Sequence, residues 1–84
     1  MYNESQLNHV IGQNVRYYRQ LYNLGKSSEV RITQEKLAEL AGVSTSLIGN
    51  LESEKINQGI SLYTLWKISI AINTPIEKFF VPIA

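Results

Sequence analysis

The sequence predicts an all-α domain, a compact five-helix bundle that spans residues 1–84. Three observations predict this fold class. Apolar residues recur at steps of three and four, which is the period of an amphipathic helix. Residues that favour helix N-caps precede the apolar segments. No segment alternates apolar and polar residues as a half-buried strand does. A length of 84 residues is that of a single domain.

The first helix is predicted over residues 4–23 from one apolar stripe, formed by Leu7, Ile11, Val15, Tyr18 and Tyr22. Asn3 or Ser5 is the expected N-cap, and Gly25 is expected to end the helix. The polar stretch GKSSEVR, residues 25–31, contains a glycine and two serines and is predicted to be a loop.

Two short helices follow. The second is expected to begin after Thr33 as N-cap and to stop at Gly42, with its buried face formed by Leu37, Ala38, Leu40 and Ala41. The third is expected to begin after Ser44 and to run to about Ser53, with Ile48 and Leu51 facing inward. Small Ala38 and flexible Gly42 allow two helices to cross steeply with a short turn between them. Residues 33–53 therefore follow the helix-turn-helix pattern.

Ser61 is the expected N-cap of the fourth helix, residues 62–72, whose core stripe is formed by Leu62, Leu65, Ile68 and Ile72. The fifth helix has the strongest local signal. Thr74 is a capping residue, Pro75 occupies the first helical position, and Glu77 stands three residues after the cap.

The chain resembles the lambda-repressor-like (Cro/XRE) helix-turn-helix regulators in three stretches, IGQNVRYYRQLYNL (11–24), ITQEKLAELAGVSTSLIGNLE (32–52) and ISLYTLWKISIAINTPIEKFF (60–80). The resemblance implies a sequence-specific transcriptional regulator, a dimeric repressor or controller that binds a palindromic operator in double-stranded DNA. Two features depart from the family pattern. Residues 25–31 look like an insertion, and Ile60 stands where many members have proline.

The resemblance also assigns residue roles. The third helix would enter the major groove, where Thr45, Ser46 and Asn50 occupy base-reading positions. Their side chains suit that role, since asparagine can bond adenine and a threonine methyl can contact thymine. Gly49 has two interpretations, close approach to DNA or packing against the second helix. The implied backbone contacts are Gln34, Ser44, Lys55, Asn57, Gln58, Arg19 and Lys36.

Several of these residues also have a structural interpretation. Ser44 is expected to act mainly as a cap. Lys26, Arg31 and Lys36 have two interpretations, as additional phosphate contacts or as ordinary solvated charges. The resemblance pairs Arg19 with Glu52, and we expect this pair to be largely structural, joining the first helix to the third.

The fourth helix is apolar on more than one side, which is unusual for a helix in so small a domain. A homodimer is therefore expected through residues 62–84, with an interface formed by Tyr63, Trp66, Ile70, Val81 and Ile83. The alternative is that Trp66 covers the 25–31 loop or the tail of its own chain.

Other function classes find little support. The chain has no cysteine and one histidine, so we expect no metal site, no cofactor and no enzyme activity. No apolar run is long enough to cross a membrane, no secretory signal is visible and no small-molecule site is evident, so a cytoplasmic protein is expected.

The main alternative is a protein-binding adaptor that keeps the fold without reading DNA, which the net charge of only +1 favours slightly. A phage repressor, a restriction–modification controller and an antitoxin-like autorepressor stay open, as do the operator sequence and the sign of regulation.

Overall fold

Four α-helices and a short 3₁₀ helix make up the computed structural model, which describes residues 1–83. Their bounds are α1 Glu4–Asn23, α2 Gln34–Ala41, α3 Thr45–Glu52, α4 Leu62–Ala71 and the 3₁₀ helix Ile76–Phe80. No strand occurs among these residues, so the all-α fold class is confirmed. The Cα radius of gyration is 12.0 Å, close to that of a compact chain of this length. Residue 84, the end of the predicted dimerisation region, lies outside the described residues.

A reciprocal pair of hydrogen bonds fixes the start of α1. Asn3 Oδ1 accepts from the Gln6 backbone N–H at 2.8 Å, and Gln6 Oε1 accepts from the Asn3 N–H at 3.0 Å. This capping box satisfies two otherwise free amides, and it selects Asn3 over Ser5 as the N-cap. The helix ends at Asn23, with Leu24 as its C-cap directly before Gly25, as the sequence predicted.

The turn between α2 and α3 has the predicted chemistry. Thr33 Oγ1 accepts from the Lys36 N–H at 3.1 Å, and Ser44 Oγ accepts from the Leu47 N–H at 3.1 Å. Gly42 ends α2 with φ +70°, in the left-handed region that favours glycine. The buried methyl of Ala38 lets α2 pack closely in the core. The local sequence therefore fixes both ends of the two-helix unit.

The core draws on all five elements and consists of Ile11, Val15, Ile32, Leu37, Ala38, Ala41, Ile48, Leu51, Leu65, Ile68, Ile72 and Phe79. Burial of each large aliphatic or aromatic side chain contributes roughly 1.5–3 kcal/mol. Gly12 lets α1 approach α3 closely, because a Cβ at this position would overlap the backbone carbonyl of Leu51. The contact between α1 and α3 therefore needs a residue without a side chain.

Two residues that the sequence assigned to the core are exposed. Leu40 is 44% exposed and Leu62 is 69% exposed. The buried face of α2 centres between Leu37 and Ala38, and Leu40 lies more than a quarter turn away from that centre. Leu62 is the first residue of α4 and lies beyond the end of the buried stripe. Both assignments to the core were therefore wrong.

The predicted capping box of the fifth helix does not form. Thr74 Oγ1 donates to the Ile72 carbonyl at 3.0 Å instead of accepting from a helix amide. Pro75 has ψ +135°, which is not helical, so the element begins at Ile76 and is a 3₁₀ helix without a side-chain cap. The hydroxyl of Thr74 bonds backward to the end of α4, and this competes with capping.

Long-range packing holds the 3₁₀ helix in place. Phe79 is fully buried and meets the ring of Tyr18 edge-on, with ring centroids 5.7 Å apart. Asn14, buried in α1, donates from Nδ2 to the carbonyls of Phe79 at 2.7 Å and Val81 at 2.9 Å. A single amide therefore ties the C-terminal segment to the middle of α1.

The loop at residues 25–31, predicted as an insertion, forms turns that return the chain to the start of α2. Asn23 closes it with two hydrogen bonds to one residue. Its Oδ1 accepts from the Ile32 N–H at 2.7 Å, and its Nδ2 donates to the Ile32 carbonyl at 2.8 Å. This clamp places Thr33 to cap α2.

Candidate nucleic-acid interface

Helix α3 presents free polar groups along one face. Thr45 and Ser46 are exposed and Asn50 is half-buried. None of these three side chains makes a hydrogen bond to another of the residues 1–83. Since Ile48 and Leu51 are buried on the opposite side, the core fixes α3 with this polar face outward. Such a face can bond to an external partner at no cost in internal hydrogen bonds.

Arg19 and Glu52 hold α3 against α1. Arg19 Nε donates to Glu52 Oε2 and Arg19 Nη2 donates to Glu52 Oε1, both at 2.8 Å. The Glu52 side chain is 2% exposed and that of Arg19 is 14% exposed. Arg19 Nη1 also donates to the Ile32 carbonyl at 3.3 Å. The structure thus brings together the two residues that the resemblance paired, in the geometry of strong arginine–carboxylate contacts.

The hydrogen bond to Glu52 raises the pKa of Arg19. Burial acts in the opposite direction, and the negative charge of Glu52 adds to the rise. The guanidinium is therefore charged at every pH near neutrality. Most N–H groups of Arg19 donate to partners inside the protein, so its role in the fold is structural. Only the small exposed part of its guanidinium could contact a phosphate.

Gln34, the first residue of α2, joins the same group of side chains. Its Nε2 donates to Glu52 Oε1 at 3.1 Å. An amide nitrogen carries two hydrogens, so one hydrogen of Nε2 remains for a phosphate oxygen. The position predicted to contact the DNA backbone is thus held by the carboxylate that also anchors α3.

The loop after α3 is less free than its sequence suggested. Asn57 Oδ1 accepts from Asn8 Nδ2 at 3.2 Å, and Asn57 Nδ2 donates to the Ser5 carbonyl at 2.9 Å. Gln58 Nε2 donates to the Gly59 carbonyl at 2.8 Å. Lys55 is exposed, and its ammonium makes no salt bridge within residues 1–83. Lys55 is therefore the residue of this loop best able to meet a phosphate.

The three other basic candidates, Lys26, Arg31 and Lys36, make contacts within the chain. Lys26 Nζ donates to the Tyr22 carbonyl at 2.7 Å and lies 4.2 Å from the centre of the Tyr22 ring. Arg31 Nε donates to the Lys26 carbonyl at 2.8 Å. Lys36 lies 3.6 Å from Glu39 in an exposed pair. Ser44, as the cap of α3, also has its hydroxyl oxygen in use.

Comparison with known proteins places this geometry in a family. A family model described as helix-turn-helix matches residues 29–79, which include α2 and α3. The chain is 35% identical over 69 residues to the control protein C.SmaI of Serratia marcescens, a match that covers 82% of this chain and 70% of the relative. The chain belongs to the Cro/C1-type helix-turn-helix family. The expected family is therefore confirmed.

The protein is thus a DNA-binding transcriptional regulator of the Cro/C1 type. Family membership and the relative named a control protein favour this function over the adaptor alternative, which the low net charge had favoured slightly. Within residues 1–83, no helix is long and apolar enough to cross a membrane. The same residues contain no cluster of three or more potential metal ligands.

A second surface of this Cro/C1-type domain is apolar. The exposed fractions on α4 are 63% for Tyr63, 49% for Trp66 and 59% for Ile70. The rings of Tyr63 and Trp66 stack at 6.1 Å, and the exposed Leu40 of α2 lines a shallow hollow with Trp66 and Ile70. We call these four residues the α4 face. Val81 and Ile83 are also exposed, at 62% and 42%.

Sequence reasoning missed the amide side chains that position α2, α3 and the loop after α3. Gln13 Nε2 donates to the Glu52 carbonyl at 3.4 Å, so α1 also contacts the backbone at the end of α3. The Asn23 clamp sets the start of α2, and Asn8 fixes the loop after α3 through Asn57. The sequence did carry a signal for such residues, namely a polar side chain within or beside the apolar stripe of α1. Asn14 is the clearest case.

Proposed function

We propose that the protein binds a palindromic operator as a homodimer, acts as a controller of transcription in the cytoplasm, and reads bases through α3 in the major groove. The observation that carries this proposal is the unpaired polar face of Thr45, Ser46 and Asn50. These side chains carry the donors and acceptors that base edges require, and the core holds them on a rigid helix.

Backbone contacts would surround this face. Lys55 supplies an unpaired positive charge in the loop after α3, and Gln34 supplies its second amide hydrogen at the start of α2. Lys36 is a further candidate, since its exposed pair with Glu39 is weak enough to exchange for a phosphate. With eight basic and seven acidic residues in the chain, the affinity depends on where these charges lie.

The α4 face supports the homodimer. An exposed contiguous apolar surface commonly marks a protein interface, and the stacked rings of Tyr63 and Trp66 are of the kind that dominates such interfaces. Half of Trp66 remains exposed in the monomer, so its own chain covers it only in part. A twofold dimer would place two copies of α3 about 34 Å apart, which is one turn of DNA.

Among the regulatory roles that the sequence left open, the relative named a control protein favours the controller. We adopt this role in preference to the phage repressor and the autorepressor.

A selection from random duplex DNA with the purified protein tests the proposal. The enriched sequence is then titrated at two salt concentrations alongside random DNA. The proposal expects an inverted repeat with half-sites about one turn apart and an affinity for it at least about 10³-fold above random DNA. The absence of any enriched motif, together with weak binding that disappears at higher salt, would contradict it.

A further inference from the structure

Gly49 lies in the middle of the polar face of α3, four residues after Thr45 and one before Asn50. Glycine inside a helix lowers its stability relative to alanine. Gly49 does not have the positive φ that would require glycine. A Cβ at this position would meet Gln34 Oε1 as its nearest neighbour at 3.6 Å, an ordinary contact distance. Neither the backbone nor the packing of α3 on α2 therefore requires glycine here.

The atom nearest to this position is a hydrogen-bond acceptor. Since a carboxylate oxygen can only accept, Gln34 must direct Nε2 toward Glu52. This fixes the orientation of the amide and leaves Oε1 beside Gly49. No donor within residues 1–83 bonds to Gln34 Oε1. Glu52 therefore holds an unused acceptor next to the one residue of α3 that lacks a side chain.

We propose that Gly49 and Gln34 form a base-reading position, in which the missing side chain lets the amino group of a base reach Gln34 Oε1. This inference rests on the proposed function, in which α3 occupies the major groove. The amino groups that base pairs display in this groove are N6 of adenine and N4 of cytosine. One position of each half-site should therefore be adenine or cytosine on the strand that faces Gln34. A methyl group at position 49 would occupy the space that the amino group needs.

Base analogues that lack one amino group test the inference directly. In the selected operator, each adenine is replaced in turn by purine and each cytosine by its analogue without the 4-amino group. Wild-type protein should lose at least about fivefold in affinity at one such position per half-site. Gly49→Ala should show a similar loss on the intact operator and no additional loss with that analogue.

The stability of Gly49→Ala separates this effect from a folding defect. Alanine fits at 3.6 Å from its neighbour, so Tm should rise by roughly 2–8 °C. Gly59→Ala is the matched control, because a Cβ there would also meet an amide, Asn8 Nδ2, at 3.6 Å, but on α1. This control should bind the operator as the wild type does.

Three results would overturn the inference. Gly49→Ala could bind the operator with wild-type affinity. Its affinity for random DNA could fall by the same factor as its affinity for the operator. Removal of the same amino group could still weaken its binding to the operator. None of these results bears on whether α3 reads the operator, because the operator affinity and base preference of Asn50→Ala test that question independently. Failure of this inference and failure of the proposed function are therefore distinguishable.

Discussion

Glu52 Oε1 accepts hydrogen bonds from both Arg19 Nη2, at 2.8 Å, and Gln34 Nε2, at 3.1 Å. Glu52 is the last residue of α3, and one oxygen of its buried carboxylate thus joins α1 to the beginning of α2. These are the three helices that any DNA contact through α3 depends on. The two hydrogen bonds differ in their expected roles, since Arg19 anchors the fold and Gln34 borders the proposed DNA-binding surface.

Loss of the Glu52 carboxylate should destabilise the protein substantially. Glu52→Ala leaves Arg19 without its charged partner, and breaking a buried pair in this way costs about 3–5 kcal/mol. Because Arg19 is slightly exposed, we expect a value near 3 kcal/mol in urea unfolding. Glu39→Ala, which removes the exposed partner of Lys36, should cost less than about 1 kcal/mol. Equal costs would contradict the anchoring role of Glu52.

The loss of unfolding free energy in Glu52→Ala should be the same at pH 7 and at pH 9. The folded-state pKa of Arg19 is raised above its ordinary value. The stabilisation is therefore fully present at any pH below the ordinary pKa of arginine, and it is lost only as pH rises through the raised folded-state pKa. Urea unfolding of the wild type and Glu52→Ala at both pH values measures the difference. A cost that shrinks by pH 9 would show that another group carries the effect.

Asn14 should stabilise the C-terminal segment specifically. Asn14→Ala leaves the carbonyls of Phe79 and Val81 without their buried donor, at a cost of about 1–3 kcal/mol in the free energy of unfolding. Amide hydrogen exchange should accelerate first in the 3₁₀ helix. Asn57→Ala, which removes an exposed bridge to α1, is the control and should leave that exchange unchanged. Uniform acceleration throughout the chain would argue against a local clamp.

Lys55 should contribute to affinity without contributing to specificity. Lys55→Ala should weaken binding to the operator and to random DNA by the same factor and reduce the slope of log K against log salt by about one. Lys78→Ala removes an exposed charge from the 3₁₀ helix and should leave the slope unchanged. If Lys55→Ala left the slope as it is in the wild type, Lys55 would not contact a phosphate.

A charge placed in the α4 face should separate the proposed dimer. Ile70→Glu puts a carboxylate among Trp66 and Leu40, and sedimentation should then show a monomer with wild-type helix content. Leu21→Glu is the control, since Leu21 is 50% exposed on α1, outside the α4 face. If Ile70→Glu remained dimeric, the interface would lie elsewhere.

Local signals in the sequence predicted the helix-turn-helix unit of α2 and α3 well. Thr33 and Ser44 cap their helices because a hydroxyl directly before a helix can reach the amide three residues on. Gly42 ends α2 because the turn needs a positive φ. These effects act within four residues and are visible in the sequence.

Tertiary contacts decided what the sequence could not. Thr74 carries a strong capping signal, yet its hydroxyl bonds backward to α4, and Phe79 and Asn14 hold the segment that follows. Leu40 satisfies helical periodicity but lies outside the arc that α2 buries. The bond between Gln34 and Glu52 spans 18 residues, so no local pattern could reveal which way the Gln34 amide turns.

The central claim is that α3 reads operator DNA, and Asn50→Ala tests it most directly. The affinities of the wild type and the variant are measured on the selected operator and on random duplex DNA, with Tm as a check of folding. We predict a loss of about 1–3 kcal/mol on the operator, relaxed preference at one base pair, and unchanged binding to random DNA. Wild-type affinity and wild-type preference in Asn50→Ala would contradict the claim that this face of α3 meets the bases.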